Sequence, residues 1–229
     1  MRKILLTMLF ALTIGAISTT KAQSYMGSQS ESYSNFFSSR MGVNFGSLDD
    51  PQYSSNCQVG FNVAALYNIS LMQSAPLYLQ SGVAIEMKGA RSGRLLDDVY
   101  PETHYKSYSF EIPMVVTYDI MVGQNMAIVP ELGLYYSYAF AGSIQSGDEF
   151  FRPYKKEQYM VADDEMVKSR LFKRNDFGIR CGLSFRYSRC LIGFAYDAGL
   201  LDVYPGDIRG GDNNIKTGCF SINMCYRFN

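Results

Sequence analysis

Ten charged side chains lie in stretches that otherwise alternate between large apolar residues and small or polar ones. Five are basic and five are acidic, so each buried charge can find a partner of opposite sign. Such a group can be a salt-bridged core, a gated ion path or a proton-sensitive switch, although a single histidine weakens a switch at neutral pH. We interpret it as a structural charge network. The ten residues are Arg40, Glu86, Lys88, Glu111, Asp119, Glu131, Arg180, Arg186, Asp197 and Arg227.

His104 is the one candidate for acid–base catalysis, since it follows Asp97, Asp98 and Glu102 in the stretch "RSGRLLDDVYPETHYK". General acid–base catalysis also needs a positioned nucleophile or water. The sequence contains no GxSxG, HExxH or phosphate-binding loop motif. It therefore predicts a protein that is not an enzyme, and a hydrolase at the outer rim is the less favoured alternative.

The five cysteines give no sign of a metal site or a dense disulfide framework. They contain no CxxC pair, and one histidine is too few for the usual zinc ligand sets. Cys219 and Cys225 are six residues apart on one strand, about 20 Å at the rise of a β-strand, and cannot bond to each other. We expect no cofactor and no metal.

Eight segments with a period of two must position these charges. Most have 12 residues or more, which exceeds the five or six of an average soluble strand and suffices for a tilted membrane-spanning strand of about 9–11 residues. The first segment is short, but its start can reach back toward Phe36. The segments are 40–46, 58–69, 77–88, 107–120, 126–140, 176–187, 190–201 and 215–228.

The connections between these segments alternate strictly between long and short. The longest covers 141–175 and the shortest is Ser188–Arg189. If the strands run up and down, all long loops lie at one end, as in outer-membrane barrels with long outside loops and short periplasmic turns. The charged stretch 148–176 can hold a short helix or extend its flanking strands, and we interpret it as a charge-rich surface loop.

In each segment, alternate residues belong to opposite faces of the barrel, so that odd and even positions form two separate sets, each of one parity. Eight strands enclose room for side chains or one small ligand, so an inward apolar parity, as in a soluble lipocalin-like barrel, would overfill the interior. With the large apolar parity toward lipid, tyrosines near the strand ends form interface girdles. The sequence predicts an eight-stranded antiparallel up-and-down transmembrane β-barrel of the outer-membrane type. Pro113 and Pro130 each remove a ladder hydrogen bond, so we expect bulges or strand ends there.

The remaining segments predict export to the outer membrane. Residues 1–22 have the charged start, the apolar run and the small residue of a cleaved signal peptide. Residues 23–39 are a Ser-rich flexible leader, and 40–229 form the barrel domain. The 21 basic and 21 acidic residues provide no excess positive charge for nucleic acid. The expected partners are outer-membrane lipid and the barrel-assembly machinery, for which Tyr226 and Phe228 resemble the C-terminal signal.

Several stretches resemble, in the same order, an outer-membrane β-barrel family of Bacteroidetes often called PorT-like. They are "YLQSGVAIEMKGA" (78–90), "SFEIPMVVTYDI" (109–120), "PELGLYYSYAFAG" (130–142), "NDFGIRCGLSFRYSRCLIGFAYDAGLLDV" (175–203) and "CYRFN" (225–229). The resemblance covers about residues 36–229. It implies a transmembrane barrel without a catalytic motif, and one member takes part in type IX secretion and gliding.

Together these features predict a structural or interaction protein of the outer membrane. Its loops, above all 141–175, would contact a protein partner, as in a secretion or surface-assembly apparatus. The alternative is a narrow channel or transporter for ions or small solutes. Because about 16 strands are needed for an aqueous channel, the charged side chains of an eight-stranded barrel are expected to plug it.

Overall fold

The computed structural model describes residues 33–49, 55–92, 103–146, 149–160, 166–203 and 215–228. These residues form twelve strands. Within them no helix is long and apolar enough to span a bilayer. The strands are β1 Phe36–Asp49, β2 Ser55–Ser70, β3 Leu77–Ser92, β4 Thr103–Tyr118, β5 Ile120–Met121, β6 Met126–Ser146, β7 Glu149–Phe151, β8 Glu157–Met160, β9 Met166–Ser169, β10 Asn175–Tyr187, β11 Cys190–Gly199 and β12 Lys216–Phe228.

Eight of these strands close into an antiparallel barrel. The pairing runs β1–β2–β3–β4–β6–β10–β11–β12, and β12 returns to β1 over a long ladder from Asp49↔Lys216 to Phe37↔Phe228. The two-residue strand β5 continues β4 beyond a break at Asp119 and pairs with β6. The predicted fold class is therefore confirmed, and each predicted segment lies on a barrel strand. β1 begins at Phe36, so the last four residues of the predicted leader, 36–39, belong to this strand.

Successive residues of each barrel strand point alternately outward and into the lumen. In β11 exposed and buried residues alternate along nearly the whole strand, because Ile192, Phe194 and Tyr196 point outward while Leu191, Ala195 and Asp197 point into the lumen. The apolar parity forms the outer wall of the barrel, and the small and charged parity fills the inside. This is the reverse of a water-soluble protein and follows from lipid being the outer solvent.

The expectation of bulges or strand ends at the two prolines is wrong for Pro113, whereas next to Pro130 the ladder between β4 and β6 does end, at Thr117↔Glu131. Pro113 lies inside β4 opposite Tyr135, and Pro130 lies inside β6 opposite Leu183, each in an unshifted register. The ladder between β3 and β4 skips the two positions opposite Ile112 and Pro113 and resumes in the same register. The missing N–H of Pro113 thus costs a local gap in one ladder rather than a bulge. Register shifts occur instead at Tyr108/Ser109 and between Cys57 and Asn62.

The strands extend further at the long-loop end of the barrel, called the tall end below, than at the short-turn end. At the short-turn end, β10 and β11 are joined by Ser188 and Arg189, and Ser188 adopts the positive φ of 54° that a tight hairpin favours. At the other end β6 is 21 residues long, and its upper part pairs with β4 and with β7. The stretch 141–175 extends β6 and adds β7 and the hairpin β8–β9. Where the structure describes this loop, the flanking strand β6 is extended, which is one of the predicted alternatives.

Candidate functional site: the ion-paired lumen and its mouth

All ten predicted network residues are on the lumen-facing side of the barrel, nine of them on strands and Asp119 at the break between β4 and β5. Eight of them form ion pairs, in two groups at different heights. The central cluster consists of Glu86, Lys88, Glu111, Arg180 and Asp197, and the short-turn cluster consists of Asp119, Arg186 and Arg227.

The central cluster crosses the full width of the lumen. The Lys88 ammonium lies 2.8 Å from Glu86, 2.9 Å from Glu111 and 3.2 Å from Asp197. Lys88 is on β3 and Asp197 is on β11, which are opposite each other in the eight-strand circle. A buried ion pair is retained only where such close contacts offset the loss of hydration. This cluster therefore braces opposite walls and occupies the middle of the barrel.

Arg180 binds the same carboxylates from the β10 side. Its Nε donates to Asp197 at 2.7 Å, its Nη2 to the other oxygen of Asp197 at 2.8 Å, and its Nη1 lies 2.8 Å from Glu111. The side chain is 2% exposed. This bidentate geometry is the strongest form of a charge-assisted hydrogen bond. Along each strand, the residues between the large outward-facing ones are mostly small. This leaves enough space in the lumen for the side chain of a buried arginine.

The three carboxylates of the central cluster could in principle hold a metal ion, since one oxygen from each lies within 4.8 Å of the others. Lys88 and Arg180 already contact all three. The cationic position among Glu86, Glu111 and Asp197 is thus filled by the chain itself, and the arrangement fits an internal salt bridge better than a metal centre.

The short-turn cluster crosses the lumen at the end of the barrel where the strands are joined by short turns. Arg227 on β12 donates to both oxygens of Asp119, at 2.5 and 2.8 Å. Arg186 lies 3.5 Å from the same carboxylate. The Arg227 guanidinium also stacks over the rings of Phe36, at 4.8 Å, and Tyr78, at 5.9 Å. Because Asp119 follows β4, directly across the circle from β12, this contact also spans the lumen.

Arg40 and Glu131 are the two network residues that form no ion pair with the residues that the structure describes. Arg40 is 3% exposed, yet its Nε and Nη2 have no hydrogen-bond partner among the described residues. Glu131 is half-buried beside Gly182. Next to Arg40, the amide of Asn62 donates to Asn44 at 2.6 Å and to Asn223 at 3.0 Å. The lumen near Arg40 is thus polar but incompletely bonded.

A hydrophobic mouth cluster crosses the tall end of the barrel. Tyr154 and Phe172, from the connection after β6, pack with Ala139, Val203 and Ile215. Leu48 on β1 and Ile144 on β6, on opposite sides of the circle, pack against the same cluster together with Tyr105 and Leu171. The charge-rich stretch 141–175 is therefore more than a surface loop, because part of it covers the mouth.

Hydroxyl groups fasten Tyr154 to the barrel wall above the membrane-spanning part. Its oxygen lies 2.5 Å from the Tyr105 hydroxyl and 2.6 Å from the Ser107 hydroxyl. Burial raises the pKa of both Tyr105 and Tyr154 above the usual value of a phenol. Both phenols therefore stay protonated and can donate in this hydrogen-bonded group.

Sequence reasoning missed a second polar group in the lumen. Asp176 is buried and accepts hydrogen bonds from Tyr135 at 3.3 Å and from Thr217 at 2.5 Å. Lys88 lies 4.6 Å above the Tyr135 ring, so this group is continuous with the central cluster. The signal was present, because Asp176 and Arg180 share one parity of β10.

The remaining predicted features are only partly visible. His104 is half-buried on β4 opposite Arg91 and Gln145, whereas Asp97, Asp98 and Glu102 lie outside the described residues. Tyr226 and Phe228 point outward on β12, with ring centroids 5.0 Å apart. All five cysteines are free. The predicted signal peptide lies outside the described residues and stays a prediction.

Comparison with known proteins places these observations in a family. Residues 22–204 match the sequence profile of the family described as "Outer membrane protein beta-barrel domain". No curated protein matches the chain.

Solved structures similar to this chain include three outer-membrane proteins. Ail of Yersinia pestis shares 14% identity over 86% of this chain and 100% of its own, with a TM-score of 0.43. OprG of Pseudomonas aeruginosa shares 15% identity over 88% and 99%, with a TM-score of 0.43. The outer-membrane enzyme PagL shares 10% identity over 82% and 98%, with a TM-score of 0.40. At these identities and TM-scores the likeness says nothing about ligand or activity.

Proposed function

The chain belongs to the family of outer-membrane β-barrel domains, and from this premise we propose that it is a non-conducting barrel that anchors an extracellular platform for a partner. The outer wall of the barrel contacts membrane lipid. The narrower assignments, to the PorT-like family and to a type IX secretion apparatus, are part of the proposal and rest on the sequence resemblance.

The observation that carries the proposal is that side chains cross the lumen at three heights. The mouth cluster joins β1 to β6, the central cluster joins β3 to β11, and the short-turn cluster joins the β4 end to β12. Each layer links opposite walls of an eight-stranded barrel, which has little interior space to begin with. A solute would have to break two ion-paired layers and one apolar layer to pass.

The extension of the strands at the tall end supports the platform part of the proposal. β2, β3, β4 and β6 have 16 to 21 residues, whereas about 9–11 residues cross a bilayer. The surplus lies at the long-loop end, where β7 and the hairpin β8–β9 are added. Long loops of outer-membrane barrels face the cell exterior, so we place the binding surface for a protein partner there.

Planar-bilayer recording tests the non-conducting part. The purified full chain is expected to give no steady single-channel steps, and the charge-removing variant Lys88→Met/Asp197→Ala is expected to give none either while the other two layers remain. Steady steps with the unmodified chain would contradict the proposal.

A partner is best sought by crosslinking in intact cells, with a photo-crosslinker placed at Phe150, which is 63% exposed on β7. A matched control carries the crosslinker at Ile192, on the lipid-facing wall at the other end. A specific protein adduct at Phe150 but not at Ile192 is expected. Identification of secretion-machinery subunits would support the type IX assignment, and lack of any Phe150-specific adduct would count against the platform.

One observation favours the alternative of a narrow channel. Two nitrogens of Arg40 have no hydrogen-bond partner among the described residues, which favours water beside this side chain in the lumen and would give ions a partial path. The same recordings decide between the two functions, because Arg40→Met would alter the conductance of a channel and leave a closed barrel silent.

A further inference from the structure

Two short basic segments meet at the tall end of the barrel. They are "RPYKK" (152–156) and "RLFKR" (170–174). The Phe172 amide donates to the Pro153 carbonyl at 3.0 Å, and the Arg174 Nη2 donates to the Tyr154 carbonyl at 3.3 Å. Residues far apart in sequence thus form one basic patch, consisting of Arg152, Lys156, Arg170 and Lys173, all of them exposed.

This patch lies at the height where the barrel leaves the membrane. Arg174 donates to the Tyr138 hydroxyl at 3.4 Å, and the Tyr136 hydroxyl donates to Asn175 at 3.1 Å. Tyr136 and Tyr138 point outward, each 40% exposed. From Ile128 to Tyr138 a strand tilted by about 40° rises roughly 26 Å, which equals the apolar band of an outer-membrane barrel. The two tyrosines therefore mark the upper interface, and the basic patch begins there.

The positive charge of the patch is only weakly neutralised where the structure describes its contacts. Lys173 pairs with Asp202 at 3.7 Å, and the Lys173 side chain is 52% exposed and that of Asp202 32%. An exposed pair of this kind contributes little and exchanges readily. Arginine and lysine at such a site bind phosphate oxygens, arginine in a bidentate manner.

We propose that the basic patch binds the phosphate groups of the glycolipid in the outer leaflet. Four cations next to a membrane interface are typical of anionic headgroup recognition. The apolar wall directly below, ending in Tyr136 and Tyr138, suits the acyl chains of the same molecule. A soluble polyanion would use the charges but not this wall, so the position favours a lipid. The choice of leaflet rests on the orientation proposed above.

Native mass spectrometry of the folded full chain in detergent tests the proposal, because it counts bound lipids directly. Diphosphorylated lipid A is titrated against the same glycolipid without phosphates, phosphatidylglycerol and dextran sulfate. The variant Arg152→Gln/Arg170→Gln is expected to bind lipid A about tenfold more weakly, as judged from the usual contribution of each surface cation. The matched variant Arg91→Gln/Arg189→Gln loses two arginines outside the patch and is expected to change less than twofold.

Each other outcome overturns the assignment. Equal binding of the dephosphorylated glycolipid would show that the phosphates are not recognised. Equal losses in both double variants would mean that net charge alone matters. Dextran sulfate binding without lipid A binding would indicate a soluble polyanion site. Tighter binding of phosphatidylglycerol would indicate the other leaflet, while the platform function is tested separately by crosslinking at Phe150. Heat-modifiable gel migration verifies that every variant is folded.

Discussion

Two buried arginines of the lumen illustrate how local partners decide the energetics of one residue type. Arg180 and Arg40 are 2% and 3% exposed, so both lose their hydration, at a cost of several kcal/mol each. Arg180 contacts three carboxylates, Glu86, Glu111 and Asp197. Arg40 has two nitrogens without a partner in the described part of the chain. The first is expected to stabilise the barrel and the second to add little.

Replacing each arginine by methionine tests this difference. Arg180→Met leaves buried carboxylates with too few cations and is expected to lower the free energy of unfolding by about 3–5 kcal/mol. Arg40→Met removes an incompletely bonded charge and is expected to cost nothing, or to gain up to about 2 kcal/mol. Because the chain has no tryptophan, urea unfolding is followed by the heat-modifiable gel shift. Equal destabilisation by both variants would show that Arg40 has a strong partner after all.

At the scale of elements, the barrel strands could be predicted and the mouth cluster could not. Lipid on one side and a narrow lumen on the other impose a period of two, so the alternation located all eight barrel strands. Tyr154 and Phe172 lie in a charged stretch without periodicity, and their contact is set by the shape of the mouth. The prediction for Pro113 was wrong for a related reason. Pro113 keeps its register because β6, on its other side, pairs continuously with β4 at that point.

The mouth cluster is expected to open without unfolding the barrel. Its two large buried side chains, Tyr154 and Phe172, belong to residues outside the strand ladders, and such regions open locally at low free energy. Phe172→Ala is therefore expected to speed protease cleavage within 141–175 severalfold, while the urea midpoint of the gel shift hardly moves. Ile192→Ala, on the lipid-facing wall, is the control and leaves the cleavage rate unchanged. A large fall in the urea midpoint for Phe172→Ala would mean that the mouth cluster and the barrel unfold together.

Within the described residues, the eight-stranded sheet is closed into a barrel without a free edge by the ladder between β1 and β12. Its asymmetry is vertical, with short turns at one end and strand extensions, the mouth cluster and the basic patch at the other. Both the platform and the lipid-phosphate proposal require that the tall end faces outward. If the three layers close the lumen as proposed, loss of one layer alone is expected not to open a path.

The native cysteines offer a direct test of this orientation. Cys57 is exposed near the top of β2, and Cys190 is exposed beside the two-residue turn at the other end. Cys219 is buried in the lumen, so it reacts slowly with a bulky reagent. A membrane-impermeant maleimide on intact cells is expected to label Cys57, and Cys190 only after the outer membrane is permeabilised. Cys57→Ser should abolish the first label and Cys190→Ser the second. Labelling of Cys190 in intact cells would place the short turns outside and reverse the assignment of the tall end.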